Sequence, residues 1–242
     1  MRPIDRTHRT PKARTAAACF VALLLVMEVL GGGFTIPELA AQDASGDLGT
    51  AERILAQARG HEDPDVRVQL YDMVESRARA ALEEDPSDID ARWWLVATLG
   101  LRADEESARR KIQLAGEVHE EAERILEVDP DHPGAHHAVA RLHAGILRLN
   151  RVVRYVALRL VGEETLREAD WEGAEWHIQR AIEQEPDILI HRYERVRMLQ
   201  TQGRLDEARE ELENLFSLPD TAPMDPVVRS RAERLRSELG EG

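Results

Sequence analysis

Five arginines and four histidines stand out in this chain, because the window from His132 to Gly162 contains no aspartate or glutamate. The arginines are Arg141, Arg148, Arg151, Arg154 and Arg159, and the histidines are His132, His136, His137 and His143. Guanidinium forks bind carboxylate and phosphate bidentately, so the window fits an anionic group: a peptide carboxylate, a lipid headgroup or an acidic partner. The same arginines fit ion pairs with acidic helices of neighbouring segments. The expected partner-contact positions are Arg141, Arg148, Arg151 and Arg154. His136 and His143 lie seven residues apart and can share a helix face, the minimum for a metal site. The segment lacks the i, i+4 histidine pair with an intervening glutamate that zinc hydrolases use, and it offers no carboxylate, so no metal is expected.

Nothing else in the chain assembles a catalytic group. There is no Gly-rich phosphate loop, nucleophile elbow or Cys/His pair, and Glu105-Glu106 and Glu120-Glu121 read as solvated charge rather than as an acid–base dyad. Trp93, Trp94, Trp171 and Trp176 fit either an aromatic ligand pocket or packing between helices. The expectation is a protein that is not an enzyme and needs no cofactor.

The elements that position these residues are helical. Aromatics make up 4% of the chain while Ala, Leu, Glu and Arg abound, the composition of helices packed on small and aliphatic side chains. The net charge is −14, and since the first 41 residues carry five cations against three carboxylates, the remainder stands at −16. Such a body repels phosphate backbones, which disfavours nucleic acid as a partner. The lone cysteine, Cys19, excludes an intrachain disulfide and a thiolate metal cluster.

The first 41 residues read as an address. A basic leader from Arg2 to Arg14 precedes an apolar run from Ala16 to Met27, and Leu39-Ala40-Ala41 before Gln42 offers a signal-peptidase site. An uncleaved anchor is the alternative, opposed by Glu28 and by Gly31-Gly32-Gly33. Residues 42–65 read as a linker with a short helix, and 66–242 as a helical repeat domain.

One phrase recurs in that domain. Leu82-Glu83-Glu84-Asp85-Pro86, Leu126-Glu127-Val128-Asp129-Pro130 and Ile182-Glu183-Gln184-Glu185-Pro186 each set an acid and a proline after an apolar helix end, where proline stops one helix and opens the next hairpin. Between the stops the apolar residues keep the helical period. Val66, Leu70, Met73, Val74, Ala78, Ala81 and Leu82 form one stripe, and Ile112, Ala115, Val118, Ala122, Ile125 and Leu126 another. If a single helix runs from Ala135 to Val161, its apolar residues form a seam edged by arginines, although Gly145 and Asn150 are positioned to break it.

From Pro186 to Pro219 the chain resembles a tetratricopeptide repeat, with Gly203 at the tight turn and Ala208 as the small contact residue of the second helix. The stops depart from that repeat's period of about 34 residues, so insertions are expected, the longest between Gly145 and Ala169. The order of features from His136 to Leu239 is similar to the regulator-of-microtubule-dynamics group of such proteins and its bacterial relatives. It comprises a long insert, a short repeat helix ending at Glu185-Pro186, then Leu218-Pro219, Asp225-Pro226 and a last helix.

The resemblance implies an all-α fold: a right-handed solenoid of three to four hairpins with a capping helix. It also implies a non-enzymatic protein-interaction scaffold, binding a peptide or partner helix in a groove, which the leader would place in the periplasm or cell envelope of a bacterium. The alternative is a membrane-surface protein using the basic, apolar insert 145–162. Neither the partner nor the oligomeric state is readable from these residues.

Overall fold

The computed structural model describes residues 50–150, 153–155 and 169–240. The leader expected over 1–41, Cys19, Arg151, Arg159 and most of the insert lie outside the described residues.

Nine helices follow one another among the described residues, and no strand accompanies them. They are α1 (Ala51–Gly60), α2 (Pro64–Glu84), α3 (Ile89–Arg102), α4 (Ala108–Val128), α5 (Pro133–Arg148), α6 (Trp171–Gln184), α7 (Leu189–Thr201), α8 (Leu205–Ser217) and α9 (Asp225–Gly240). No helix among these residues is long and apolar enough to cross a membrane.

The three acid–proline phrases build the same joint. The acid's own amide closes the preceding helix, Asp85 N–H donating to Ala81 O, Asp129 N–H to Ile125 O and Glu185 N–H to Ala181 O. The acid's carbonyl then accepts from the residue three on, Asp88, His132 and Ile188, at 3.1, 3.2 and 3.3 Å. Each joint is therefore a β-turn with proline at its second position, where a fixed φ is favourable. The next helix begins on a cap: Asp88 accepts from Ala91 N–H at 2.9 Å and His132 Nδ1 from Ala135 N–H at 3.1 Å. The side chain six residues after each proline reaches back to that proline's carbonyl: Arg92 to Pro86 at 2.5 Å, His136 to Pro130 at 2.9 Å and Arg192 to Pro186 at 3.2 Å. The units are thus in register despite their unequal spacing.

Helix α2 packs on α3, α3 on α4, α5 on α6 and α7 on α8 as hairpins. The α5–α6 pair forms across the long insert. Helix α5 stops at Arg148, because Leu149 turns extended (φ −68°, ψ 137°), and Asn150 Oδ1 then accepts from Val153 N–H at 3.0 Å as a fresh cap. The unbroken helix to Val161 is therefore corrected, and the single arginine-edged seam goes with it. The stripes fall mostly as expected, with two shifts. On α2 the fully buried positions are Leu70, Tyr71, Val74 and Ala78, and on α4 Leu114, rather than Ile112, begins the buried row that continues through Val118, Ala122 and Ile125. Ala208 is fully buried against the α7 side, and Gly203 sits at φ +76° in the α7–α8 turn, the left-handed region that glycine enters without a Cβ clash.

The odd-numbered helices also touch in sequence: α1 with α3, α3 with α5, α5 with α7, α7 with α9, and α9 again with α1. The inner layer of the solenoid closes on itself, and the even-numbered helices lie outside it.

Candidate functional site

The inner layer lines an open cavity of about 620 Å³. Its walls repeat: Trp93, His137 and Tyr193 come seven residues after the three prolines, and Ala97, Arg141 and Arg197 eleven after them, and all six face the cavity. Positions four apart lie on one helix face, so each inner helix presents the same stripe. Helix α1 adds Glu52, Leu55 and Arg59, and α9 adds Val227, Val228 and Arg231.

Trp93 and Trp94 line the wall. Trp93 and Trp94 have ring centroids 6.3 Å apart, and Trp93 lies directly over Gly134 at the start of α5. A Cβ at Gly134 would approach three Trp93 ring carbons to 2.6–2.7 Å, closer than real contacts allow, so glycine here makes room for the indole. Trp171 packs into the α5–α6–α7 core, while Trp176 is 55% exposed on the outer layer.

The expected contact arginines are dispersed. Arg141 faces the cavity and donates to Asp104 at 2.9 Å, the same oxygen that accepts from Arg59 at 2.6 Å. Burial pushes the Asp104 carboxyl up, but Arg141 and Arg59 outweigh it and hold the group below its ordinary range. Arg148 crosses from α5 to α7, where both its terminal nitrogens donate to Glu194 at 3.2 Å and Nε donates to Thr201 at 3.1 Å. Burial lowers the Arg148 pKa, and Glu194 opposes that shift. Arg154 donates to the carbonyls of Leu147 and Leu149 at 2.8 and 3.3 Å and so closes the end of α5. Arg151 lies outside the described residues. Sequence reasoning missed Arg59 and Arg231, which line the cavity with Arg141. They come from opposite ends of the domain, and no local pattern marks them.

The histidines form two pairs on either side of α5. His136 meets His177 at 2.8 Å between Nδ1 atoms, and His137 meets His191 at 3.1 Å, with Glu185 accepting on the far side of His191 at 3.0 Å. Burial, then His136, His143 and His119, press the His177 pKa down to about 4. Burial, then His191 and Arg141, hold His137 well below its ordinary value. Among the described residues no group of three or more His, Cys, Asp or Glu side chains is arranged to hold a metal. His136 occupies the place that Arg92 and Arg192 hold in the neighbouring units. Those arginines pair with Glu121 and Glu211 of the following outer helix, where His136 meets His177. The pair thus refills a repeat position, with two imidazoles where the neighbouring units have a guanidinium and a carboxylate.

No curated protein matches the chain closely enough to be named as a relative. Residues 48–240, which include every helix described above, match the family described as Regulator of microtubule dynamics protein 1-3. The joints, the register and that match agree, and the chain belongs to the regulator of microtubule dynamics 1-3 family.

Proposed function

We propose that this protein is a non-enzymatic binding scaffold whose tetratricopeptide-like hairpins hold an extended peptide, free or part of a partner, in the cavity of the inner layer. The observation that carries this reading is the repetition of the wall. Three successive units turn the same two positions to one cavity, an arrangement suited to an extended chain that meets one unit after another. Arg141 belongs to that surface, and Arg148 supports it by tying α5 to α7. The basic and apolar leader supports export to the periplasm or cell envelope.

A second reading, attachment to a membrane surface through the basic insert, is favoured by one observation. Val153 and Tyr155, within that insert, are 38% and 57% exposed.

The test is capture from envelope extract by the full chain and by Ala97→Trp, which fills the cavity from a wall position that is only partly buried. A protein held by the native chain and lost by the variant, with the unfolding temperature unchanged, supports the reading. Equal capture by both refutes it. Sedimentation with anionic vesicles, reversed by salt, would favour the second reading instead.

A further inference from the structure

The cavity is charged at both ends and with opposite sign, and in each case one half-buried group makes no hydrogen bond or ion pair among the described residues. At one end Arg59, Arg141 and Arg231 converge on Asp104, which engages the first two at 2.6 and 2.9 Å, leaving two positive charges in excess. Arg67 lies beyond them and is spent on a bidentate pair with Glu105 at 2.6 and 2.7 Å. Arg231 makes no hydrogen bond or ion pair among the described residues. Burial and the adjacent Arg59 press its pKa down, the mark of a cation short of an anion.

At the other end are Glu52, Glu185 and Asp225. Asp225 is buried and accepts from its own turn, Thr221 N–H and Ala222 N–H at 2.7 Å, and Glu185 is held by His191 at 3.0 Å. Glu52 makes no hydrogen bond or ion pair among the described residues, and burial, then Asp225 and Glu185, raise its pKa.

Glu52 and Arg59 stand on the same helix, seven residues apart, so the two charged ends are separated by about 10 Å along α1. The wall between them carries the apolar side chains of Leu55, Trp93, Trp94, Ile190 and Tyr193, with His137 at the same level as Trp93 and Tyr193. An extended peptide advances about 3.3–3.6 Å per residue, so roughly three or four residues cover that span. The cavity volume of about 620 Å³ lies within the range of small-ligand sites.

We propose that the cavity holds a short peptide with both termini free, its carboxylate on Arg231 and Arg59, its ammonium at Glu52, and its apolar side chains against Trp93 and Trp94. This rests on reading the cavity as the binding site. It differs from binding an internal segment of a protein, which would leave both charged ends unanswered. A fully apolar ligand would do the same, and a monocarboxylate would leave Glu52 unmatched.

The experiment is calorimetric titration of the full chain with leucyl-alanyl-leucine, its C-terminal amide and its N-acetyl form. The free tripeptide is expected to bind, and each capped form to bind about ten- to a hundredfold more weakly, the effect of losing one charge-assisted contact. In Arg231→Ala the preference for the acid over the amide should shrink to what Arg59 alone supports, with the unfolding temperature unchanged, while Arg231→Lys should recover part of it. Capped and free peptides of equal affinity overturn this inference and leave the groove reading intact. So does absence of tripeptide binding when Ala97→Trp still abolishes partner capture. Absence of tripeptide binding together with equal capture by both proteins overturns the inference and the reading on which it rests.

Discussion

Replacing Glu194 with alanine removes the one carboxylate between Arg148 and Arg197 and leaves two cations facing each other across the α5–α7 contact. The Glu194 side chain is 3% exposed and accepts from Arg148 at 3.2 Å and from Arg197 at 3.1 Å. Deleting one partner of a buried pair costs about 3–5 kcal/mol, because the other charge stays desolvated. Arg148 and Arg197 retain 22% and 37% exposure, so solvent screens part of the loss and the lower bound, about 3 kcal/mol, applies. For a domain of this size about 2–4 °C of unfolding temperature follows each kcal/mol, which gives a drop of about 6–12 °C.

Removing Arg148 instead leaves Glu194 its bond to Arg197, so the cost falls to about 2 kcal/mol, or about 4–8 °C. Thermal unfolding followed by circular dichroism measures both. If Glu194→Ala proves no worse than Arg148→Ala, the pair is solvent-screened and the argument from burial fails. The same asymmetry bears on binding studies, since charge reversal at Arg148 would loosen the inner layer as well as change its surface.

Gly134→Ala should push Trp93 off α5 and into the cavity, at a cost of about 1 kcal/mol after the alanine's helix preference is set against the strain. The readout is a change in tryptophan emission with little change in helicity, and unaltered emission would contradict the contact. His177 has a folded pKa of about 4 against an ordinary 6.5, so the unfolded chain takes up the proton first. Its contribution to stability is fully present above pH 6.5 and is lost as pH falls toward 4, so His177→Gln should flatten the unfolding temperature over that window relative to the native chain. An unchanged profile would show that the His136–His177 contact carries no linkage. His136→Arg combined with His177→Glu should install the ion pair of the neighbouring units and remove the same acid sensitivity. Retention of that sensitivity would refute the equivalence of Arg92, His136 and Arg192.

The joints were the most legible part of the fold because they are local. A helix end, an acid and a proline decide within six residues where the chain turns, and the structure repeats one turn at all three sites. On α4 the stripe predicts Val118, Ala122 and Ile125 correctly and misses only the start of the row, since Ile112 and Leu114 are both apolar and only the packing of α3 and α5 selects between them. The acid-free window was legible as an anomaly but not as an arrangement. Arg141 and Arg148 find their carboxylates at Asp104 and Glu194, 37 and 46 residues away, and a charge pattern along the chain cannot name such partners. The cavity was the least legible, because its charged ends join α1 to α9, and their proximity exists only once the inner layer has closed.

That closure has a consequence for how the architecture can change. An open solenoid adds or loses a unit at modest cost, because each unit is stabilised by its immediate neighbours alone. Here α1 also rests on α9, with Gly60 against Val227, so an added or deleted hairpin would part that seam and take apart the cavity wall. The number of hairpins is therefore fixed by the contact of α1 with α9, and duplication of one is a change the ring has no room to accept.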